Sequence, residues 1–370
     1  QPEGSGPVNA AGLAFYDRLV DALLARGIRP AVTLYHWDLP QALEDAGGWP
    51  ARDTAHRFAD YARLVHDALG DRVDLWTTLN EPWCSAQLGY GMGIHAPGRS
   101  EPGAAMAAMH HLLLGHGLAI EAMRAAARPE EQLSITLNLW PVLPATDSPE
   151  DLAAAHLLDG FMNRLYLDPV LRGAYPEDVV AATTGLTDWS FVQPGDESVI
   201  AAPIDVLGIN YYAPHRAGST PRSTGGWSDF PQNLGIQMLP PRGELTDMGW
   251  EISPTDLTDL LVRLTREYSI PLMVTENGAA FPDVLQETGR VEDPRRVAYL
   301  EGHLGAVHDA LSAGADVRAY FAWSLLDNFE WAEGYSKRFG LVHVDYETLE
   351  RHPKDSALWF AEGARGNRVP

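Results

Sequence analysis

Six short apolar runs of strand length recur along the 370-residue chain, and each is followed by a stretch whose apolar residues recur at helical spacing. The runs lie at residues 31–36, 76–81, 133–140, 205–212, 272–276 and 317–323. Such alternation predicts a parallel α/β fold, either a doubly wound sheet or a closed barrel. The glycine-rich run at 89–93 does not lead from a strand directly into a helix, as a nucleotide-binding loop would, so a barrel is favoured. A closed barrel of this kind has eight strands, whereas the sequence shows six.

The helices between these runs are predicted from the same spacing. Asn9 can cap the first of them and Gly27 can end it. The predicted helices cover about residues 10–26, 58–69, 104–126, 149–165, 254–268, 294–313 and 354–364. Residues 213–249 are rich in Gly, Pro and Ser without a sustained period, which predicts a loop over a functional site.

Two of the strand-length runs end in a carboxylate. Glu81 closes the second run and is followed by Pro82, and Glu276 closes the fifth run and is followed by Asn-Gly. Because the C-terminal ends of parallel barrel strands open on one face, where barrel enzymes place their chemistry, the two carboxylates are expected to converge. A pair of carboxylates across a sugar ring is the equipment for glycoside hydrolysis.

Polar side chains close other strands as well. Side chains two apart on a strand share a face, so His36, Asn210 and Tyr212 each end a row of apolar or small residues. The aromatic and acidic cluster at 323–331 follows the sixth run in the same way. A lone polar residue at such a position is usually a satisfied core residue. Their recurrence at successive strand ends instead indicates a site.

Composition limits the partners. The net charge of −23 would repel nucleic acid and anionic membrane surfaces, whereas neutral substrates suit it. No 18-residue window is uninterruptedly apolar, so a membrane span has no support.

The single Cys84 excludes an internal disulfide and is expected to be a small buried residue rather than a nucleophile. His110, His111 and His116 do not share one helix face, which favours packing or solvent roles over a metal site.

Six motifs, in order along the chain, resemble those of the β-glucosidases of glycoside hydrolase family 1. They lie at residues 33–40, 78–82, 208–212, 248–252, 274–278 and 323–331. The resemblance implies a (β/α)8 TIM barrel, with only six of the eight strands present in this chain, and a single catalytic domain over residues 1–370. It implies hydrolysis of β-D-glucosides with retention of anomeric configuration, by a two-carboxylate double displacement.

The same resemblance assigns roles to individual residues. Glu276 would be the nucleophile, Glu81 the acid/base, and Tyr212 the hydrogen-bond donor to the nucleophile. Asn80 would bind the 2-hydroxyl, Trp323 would lie against the apolar face of the sugar, and His36, Glu330 and Trp331 would bind its other hydroxyls. Glu330 and Trp331 stand where family members that act on 6-phosphorylated sugars need cationic or small polar groups. The full set of expected sugar-binding residues is His36, Trp37, Asn80, Trp83, Asn210, Trp250, Trp323, Glu330, Trp331 and Phe339. Family members also carry a cis peptide between the residues that match Trp323 and Ser324.

Further expectations concern partners and location. The substrates would be small β-glucosides or cello-oligosaccharides, as in cellulose degradation, with no cofactor and no metal. The choice among gluco, galacto and fuco sugars and the formation of a homo-oligomer stay open, and a cytoplasmic location is expected.

The start of the chain carries one further expectation. Residues 1–7 match a segment that follows the second barrel strand in relatives, so the first two strands are expected to be missing. An open seam between 31–36 and 317–323 would follow. A catalytically impaired, sugar-binding remnant of the barrel is therefore the alternative function.

Overall fold

The computed structural model describes residues 1–223 and 230–370. Its strands are three to seven residues long. They are β1 (Ala31–Tyr35), β2 (Leu75–Asn80), β3 (Gln132–Asn138), β4 (Val142–Pro144), β5 (Val206–Asn210), β6 (His215–Ser219), β7 (Ile236–Leu239), β8 (Leu272–Asn277), β9 (Val317–Ala322), β10 (Val342–Val344) and β11 (Arg351–Pro353).

Helices follow the strands as predicted. They are α1 (Ala10–Leu24), α2 (Gln41–Asp45), α3 (Asp53–Leu69), α4 (Pro102–Arg124), α5 (Pro149–Asp159), α6 (Leu165–Arg172), α7 (Glu177–Thr183), α8 (Asp196–Ile200), α9 (Pro254–Tyr268), α10 (Pro294–Ser312) and α11 (Asp355–Gly366). The Asn9 side chain caps α1 by accepting from the Gly12 N–H at 3.1 Å. A proline stands at the first position of α4, α9 and α10, where a backbone N–H would have no acceptor within the helix.

Two expectations about local structure need correction. The helix predicted over 149–165 does not stop there, because the π-helical turn Gly160–Arg164 links α5 directly to α6. Residues 213–249 contain β6, β7 and the 3-10 helix Gln232–Leu234 rather than only loop. Strands of four and five residues are too short for a period to be read from sequence. The middle of that predicted loop, residues 224–229, lies outside the described residues.

Hydrogen bonding joins six of the described strands into one sheet, in the order β1, β2, β3, β5, β8, β9. All six predicted strands are thus present, and their bounds differ from the predictions by no more than a few residues. β1 and β9 are the ends of this order.

The chain divides into two compact units, the first comprising 1–138, 156–208 and 220–236. Within it β1 and β2 pair in parallel with Ala31 opposite Leu75, and β2 pairs with β3 with Leu75 opposite Gln132. Helix α4 packs closely on α3, since a Cβ at Gly115 would lie 3.4 Å from Ala55 Cα. By length and composition α4 could cross a membrane, but most of its apolar window is buried, as in the core helix of a soluble protein.

The second unit comprises 139–155, 209–219 and 237–370. Strands β8 and β9 pair in parallel, with Leu272 opposite Val317 and Asn277 opposite Ala322. A buried cluster of apolar residues packs beside them, formed by Ala279, Phe281, Tyr299, Leu300 and Leu341. That the two units make one catalytic domain stays a prediction.

Candidate active site

In the first unit, the ends of β1 and β2 bring together three of the predicted sugar-binding residues. Trp37 donates its indole N–H to the backbone oxygen of Asn80 at 3.0 Å. The Asn80 amide donates in turn to Nε2 of His36 at 3.2 Å. These bonds fix the orientation of both the indole and the imidazole next to the end of β2.

His36 is uncharged near neutral pH. Burial disfavours its charged form and lowers its pKa to about 4. Because Nε2 accepts from Asn80, the single ring proton is on Nδ1. A neutral imidazole with a fixed donor is well suited to binding a hydroxyl oxygen.

Glu81 follows β2 in a left-handed backbone conformation with φ of 49°, which is uncommon for a residue with a side chain. Its carboxylate is buried, with 6% of the residue exposed. The backbone N–H of Glu81 donates to the Thr136 oxygen of β3 at 2.9 Å, which holds the turn in place. Trp37, with φ of 79°, has the same feature after β1. Such positions cost about 1–3 kcal/mol each and cluster at functional sites.

Cys84 makes a contact that the sequence did not indicate. It is buried, as predicted, but its thiol donates to Oε2 of Glu81 at 3.2 Å. Glu81 and Cys84 are three residues apart, a spacing that brings two side chains together on a helical turn, and this spacing is the one sign of the contact in the sequence. Trp83, also buried, lies between the two in sequence.

In the second unit, Glu276 is the fifth residue of β8 and is 8% exposed. The Tyr212 hydroxyl donates to Oε2 of Glu276 at 2.7 Å, which is the contact expected of that tyrosine. A hydrogen bond donated to a carboxylate favours its ionised form. The backbone oxygen of Glu276 also accepts a hydrogen bond from the Tyr211 N–H at 3.0 Å.

Asn277, next in the chain, is completely buried and rigidly held. Its amide donates to the Tyr211 backbone oxygen at 2.8 Å and to the Tyr299 hydroxyl at 2.9 Å, and its side-chain oxygen accepts from Tyr320 at 2.7 Å. Sequence reasoning missed this residue as a support of the nucleophile strand, although it belongs to the 274–278 motif.

Asn210 ends β5 and is almost fully buried. Its side-chain oxygen accepts from the Thr275 hydroxyl at 2.7 Å, one residue before Glu276. The described contact therefore orients Asn210 with respect to the strand of the nucleophile.

Trp323 approaches the same strand end through its backbone. Its N–H donates to the Asn277 oxygen at 2.9 Å, and a Cβ at Gly278 would lie 1.9 Å from the Trp323 oxygen, so only glycine fits there. The Trp323–Ser324 peptide is cis, as predicted. Further along, the Glu330 N–H donates to the Gly334 oxygen at 2.7 Å, and Trp331 has φ of 43°.

Trp250 and Phe339 pack around the tyrosine that contacts Glu276. The ring centroid of Tyr212 lies 5.1 Å from the ring centroid of Trp250 and 6.1 Å from that of Phe339. Trp250 and Phe339 are themselves 6.1 Å apart. The side chains of Trp250 and Phe339 therefore hold the Tyr212 ring in position.

Tyr212→Phe is expected to lower kcat/KM on an aryl β-glucoside about 10- to 100-fold, because a hydrogen bond to a charged group contributes about 1.5–3 kcal/mol. Steady-state kinetics would measure the loss. Tyr211→Phe is the matched control, since its hydroxyl donates to the Ser253 backbone oxygen at 2.6 Å rather than to Glu276. An equal loss in both variants would contradict a specific role for Tyr212.

The three histidines on α4 are buried and hydrogen-bonded. His110 contacts the Tyr175 hydroxyl at 2.7 Å and Asp196 at 2.8 Å, and His111 contacts the Trp49 backbone oxygen at 3.1 Å. His116 contacts the Thr78 hydroxyl of β2 at 2.7 Å. Across residues 1–223 and 230–370, no group of three His, Cys, Asp or Glu side chains could hold a metal ion.

Parallel strands that end in buried carboxylates, beside tryptophans and hydrogen-bonding amides, define a glycosidase of the β/α-barrel class. The profile described as "Glycosyl hydrolase family 1" matches residues 1–369, and the chain belongs to this family. The (β/α)8 fold class and the assignment to β-glucosidases are thereby confirmed.

Individual relatives agree with this assignment. The chain is 50% identical to the "Bifunctional beta-D-glucosidase/beta-D-fucosidase" of Bifidobacterium breve, over 97% of this chain and 80% of the relative. It is also 50% identical to "Thermostable beta-glucosidase B" of Thermobispora bispora, over 99% of this chain and 74% of the relative. The crystal structure of a psychrophilic β-glucosidase from Micrococcus antarcticus superimposes with a TM-score of 0.93 at 48% identity, over 99% of this chain and 81% of that one.

Proposed function

We propose that this protein hydrolyses terminal, non-reducing β-D-glucosyl residues with retention of configuration, using Glu276 as nucleophile and Glu81 as acid/base. The observation that carries the proposal is the 2.7 Å hydrogen bond from Tyr212 to Glu276. It distinguishes the two buried carboxylates chemically, because a tyrosine hydroxyl is a stronger donor than the Cys84 thiol that contacts Glu81, and it therefore favours the charged form of Glu276 more. Double displacement needs this difference between its carboxylates.

The reaction follows from these roles. The ionised Glu276 attacks the anomeric carbon while Glu81 gives its proton to the departing glycosidic oxygen, which forms a covalent glycosyl-enzyme. Esterification removes the negative charge of Glu276, so Glu81, now deprotonated, can act as base on an incoming water. Water then displaces Glu276 and releases the β anomer.

The sugar would be held by the residues that the family resemblance assigns. Asn80 binds the 2-hydroxyl, a contact that can strengthen in the transition state. His36, Glu330 and Trp331 bind other hydroxyls, and Trp323 covers the apolar face. The other assigned residues complete the pocket or its rim, namely Trp37, Trp83, Asn210, Trp250 and Phe339.

Neutral sugars are the substrates that the charges favour. The net charge of −23 disfavours anionic ligands at long range, and Glu330 at the sugar's 6-position would repel a 6-phosphate. Small β-glucosides and cello-oligosaccharides fit this requirement. The name of the Bifidobacterium breve relative extends the expected glycones to β-D-fucosides, which differ from galactosides at the 6-position.

A 2-deoxy-2-fluoro-β-D-glucoside with a dinitrophenyl leaving group tests the proposal. The fluorine slows hydrolysis of the glycosyl-enzyme, so an adduct is expected in the intact mass, and peptide mapping is expected to place it on Glu276. Saturable binding of glucose without any adduct would instead favour the sugar-binding remnant. Labelling of a different carboxylate would refute the assignment of Glu276.

A further inference from the structure

The second unit contains a buried group of charged side chains that takes no part in the proposed chemistry. Three cations, Arg296, Arg338 and Lys354, contact three carboxylates, Asp283, Asp293 and Asp327. These six residues are called the buried ion network below. Five of their side chains are no more than 2% exposed, and that of Arg338 is 21% exposed. Three positive charges against three negative ones leave the network formally neutral.

Lys354 lies at the centre of this network. It precedes α11, its side chain has 0% exposure, and it is one of only two lysines in the sequence. Its Nζ donates to Asp283 at 2.5 Å and to Asp327 at 2.9 Å. Burial lowers the pKa of Lys354, and the two aspartates oppose that shift. A buried ammonium is costly unless paired, so removal of Lys354 would leave two buried carboxylates short of a donor.

Asp327 connects Lys354 to the segment that carries the expected sugar ligands. Asp327 lies between Trp323 and Glu330 in sequence, and it also accepts from Arg338 at 2.6 Å and from the Gly340 N–H at 2.9 Å. A Cβ at Gly340 would lie 2.1 Å from the Asp327 nitrogen, so the two backbones meet as closely as glycine permits. Asp327 therefore anchors the segment 324–331, together with backbone hydrogen bonds such as that from the Leu341 N–H to the Ser324 oxygen at 2.8 Å.

The network also reaches the chain that follows the nucleophile. Arg296 donates from Nε to the Ala279 oxygen at 3.3 Å and from Nη2 to the Arg338 oxygen at 2.8 Å. Ala279 lies three residues after Glu276. One set of buried charges thus joins the segment after Glu276 to the segment that carries Glu330 and Trp331.

We propose that Lys354 is a positioning residue for sugar recognition: by fixing Asp327, it holds Glu330 and Trp331 where they bind the sugar's 6-position. This inference rests on the proposed function. It predicts that loss of Lys354 affects substrates with a 6-hydroxymethyl group more than substrates without one. A merely structural role would affect both alike.

The experiment compares aryl β-D-glucoside with aryl β-D-xyloside, which lacks the 6-hydroxymethyl group. Lys354→Met keeps the apolar stem and removes the charge. We expect it to lower kcat/KM for the glucoside about tenfold or more relative to the xyloside, mainly through KM, because the charged contact to the hydroxyl is weakened. Lys337→Met is the matched control, since Lys337 contacts Asp247 outside the buried ion network. The ratio of its kcat/KM values for the glucoside and the xyloside should stay within about twofold of the wild-type ratio.

A second pair of variants covers a folding failure of Lys354→Met. Asp327→Asn keeps the size of the side chain and an acceptor oxygen, and it should lower the same ratio of kcat/KM for the glucoside to kcat/KM for the xyloside. Lys354→Arg keeps the charge and should preserve most of this ratio. Circular dichroism at the assay temperature establishes that each assayed variant is folded. An unchanged ratio in both Lys354→Met and Asp327→Asn, or in the one that folds, would overturn the inference. Absence of glucoside hydrolysis by wild type would instead overturn the proposed function on which it rests.

Discussion

Glu276→Ala is expected to lower kcat on an aryl β-glucoside by at least about 10⁴-fold, an effect typical of removing the nucleophile from a covalent mechanism. Glu276 is buried at the end of β8 and accepts a hydrogen bond from the Tyr212 hydroxyl, which holds its carboxylate in place and favours the charged form. Alanine leaves a small space on that face of the sugar. Azide, a small anionic nucleophile, should enter it and attack the anomeric carbon directly, giving the α-glucosyl azide by a single inversion. Kinetics with added azide and NMR of the product would measure both effects.

Glu131→Ala is the matched control for this variant. Glu131 is equally buried, at 3% exposure, but it precedes β3 and contacts His66 at 2.7 Å and Arg128 at 2.9 Å. Its loss should lower thermal stability while leaving kcat within a few-fold of wild type, and azide should have no effect. If Glu276→Ala kept turnover close to that of wild type without azide, or yielded β-glucosyl azide, Glu276 would not be the nucleophile.

The sequence was sufficient to predict the regular elements that carry this chemistry. Helix α9 (Pro254–Tyr268) has the predicted bounds, and β8 (Leu272–Asn277) extends one residue beyond them. Both have strong local signals: a proline at the helix start, and an apolar run that stops at Asn-Gly. The contact between Tyr212 and Glu276 could be expected from the family resemblance.

Other features of the site have no local signal in the sequence. A left-handed conformation is usually indicated by glycine, but Glu81 and Trp331 adopt it although residues with such side chains rarely do. Charged residues such as Asp283, Arg296 and Lys354 suggest solvent exposure one by one, because such residues are rarely buried unless paired. Their pairing crosses up to 71 residues of sequence and is visible only in the fold.

Glu81→Ala should produce a different kinetic pattern from Glu276→Ala. General acid catalysis contributes about 10²- to 10⁴-fold, and an alkyl β-glucoside, whose leaving group needs a proton, should lose that much. A dinitrophenyl glucoside needs no proton for departure, so its first step should be nearly unaffected. Hydrolysis of the glycosyl-enzyme still needs the missing base, so the intermediate should accumulate with a burst of released phenol.

Azide should restore turnover of Glu81→Ala on the activated substrate, because an anionic nucleophile does not need general base catalysis. Here Glu276 still performs the first displacement, and azide performs the second, so the product should be the β-glucosyl azide. The two alanine variants are therefore expected to give azides of opposite configuration from one substrate, as measured by NMR. Azides of the same configuration from both would contradict the division of roles between Glu81 and Glu276, even if both variants were slow.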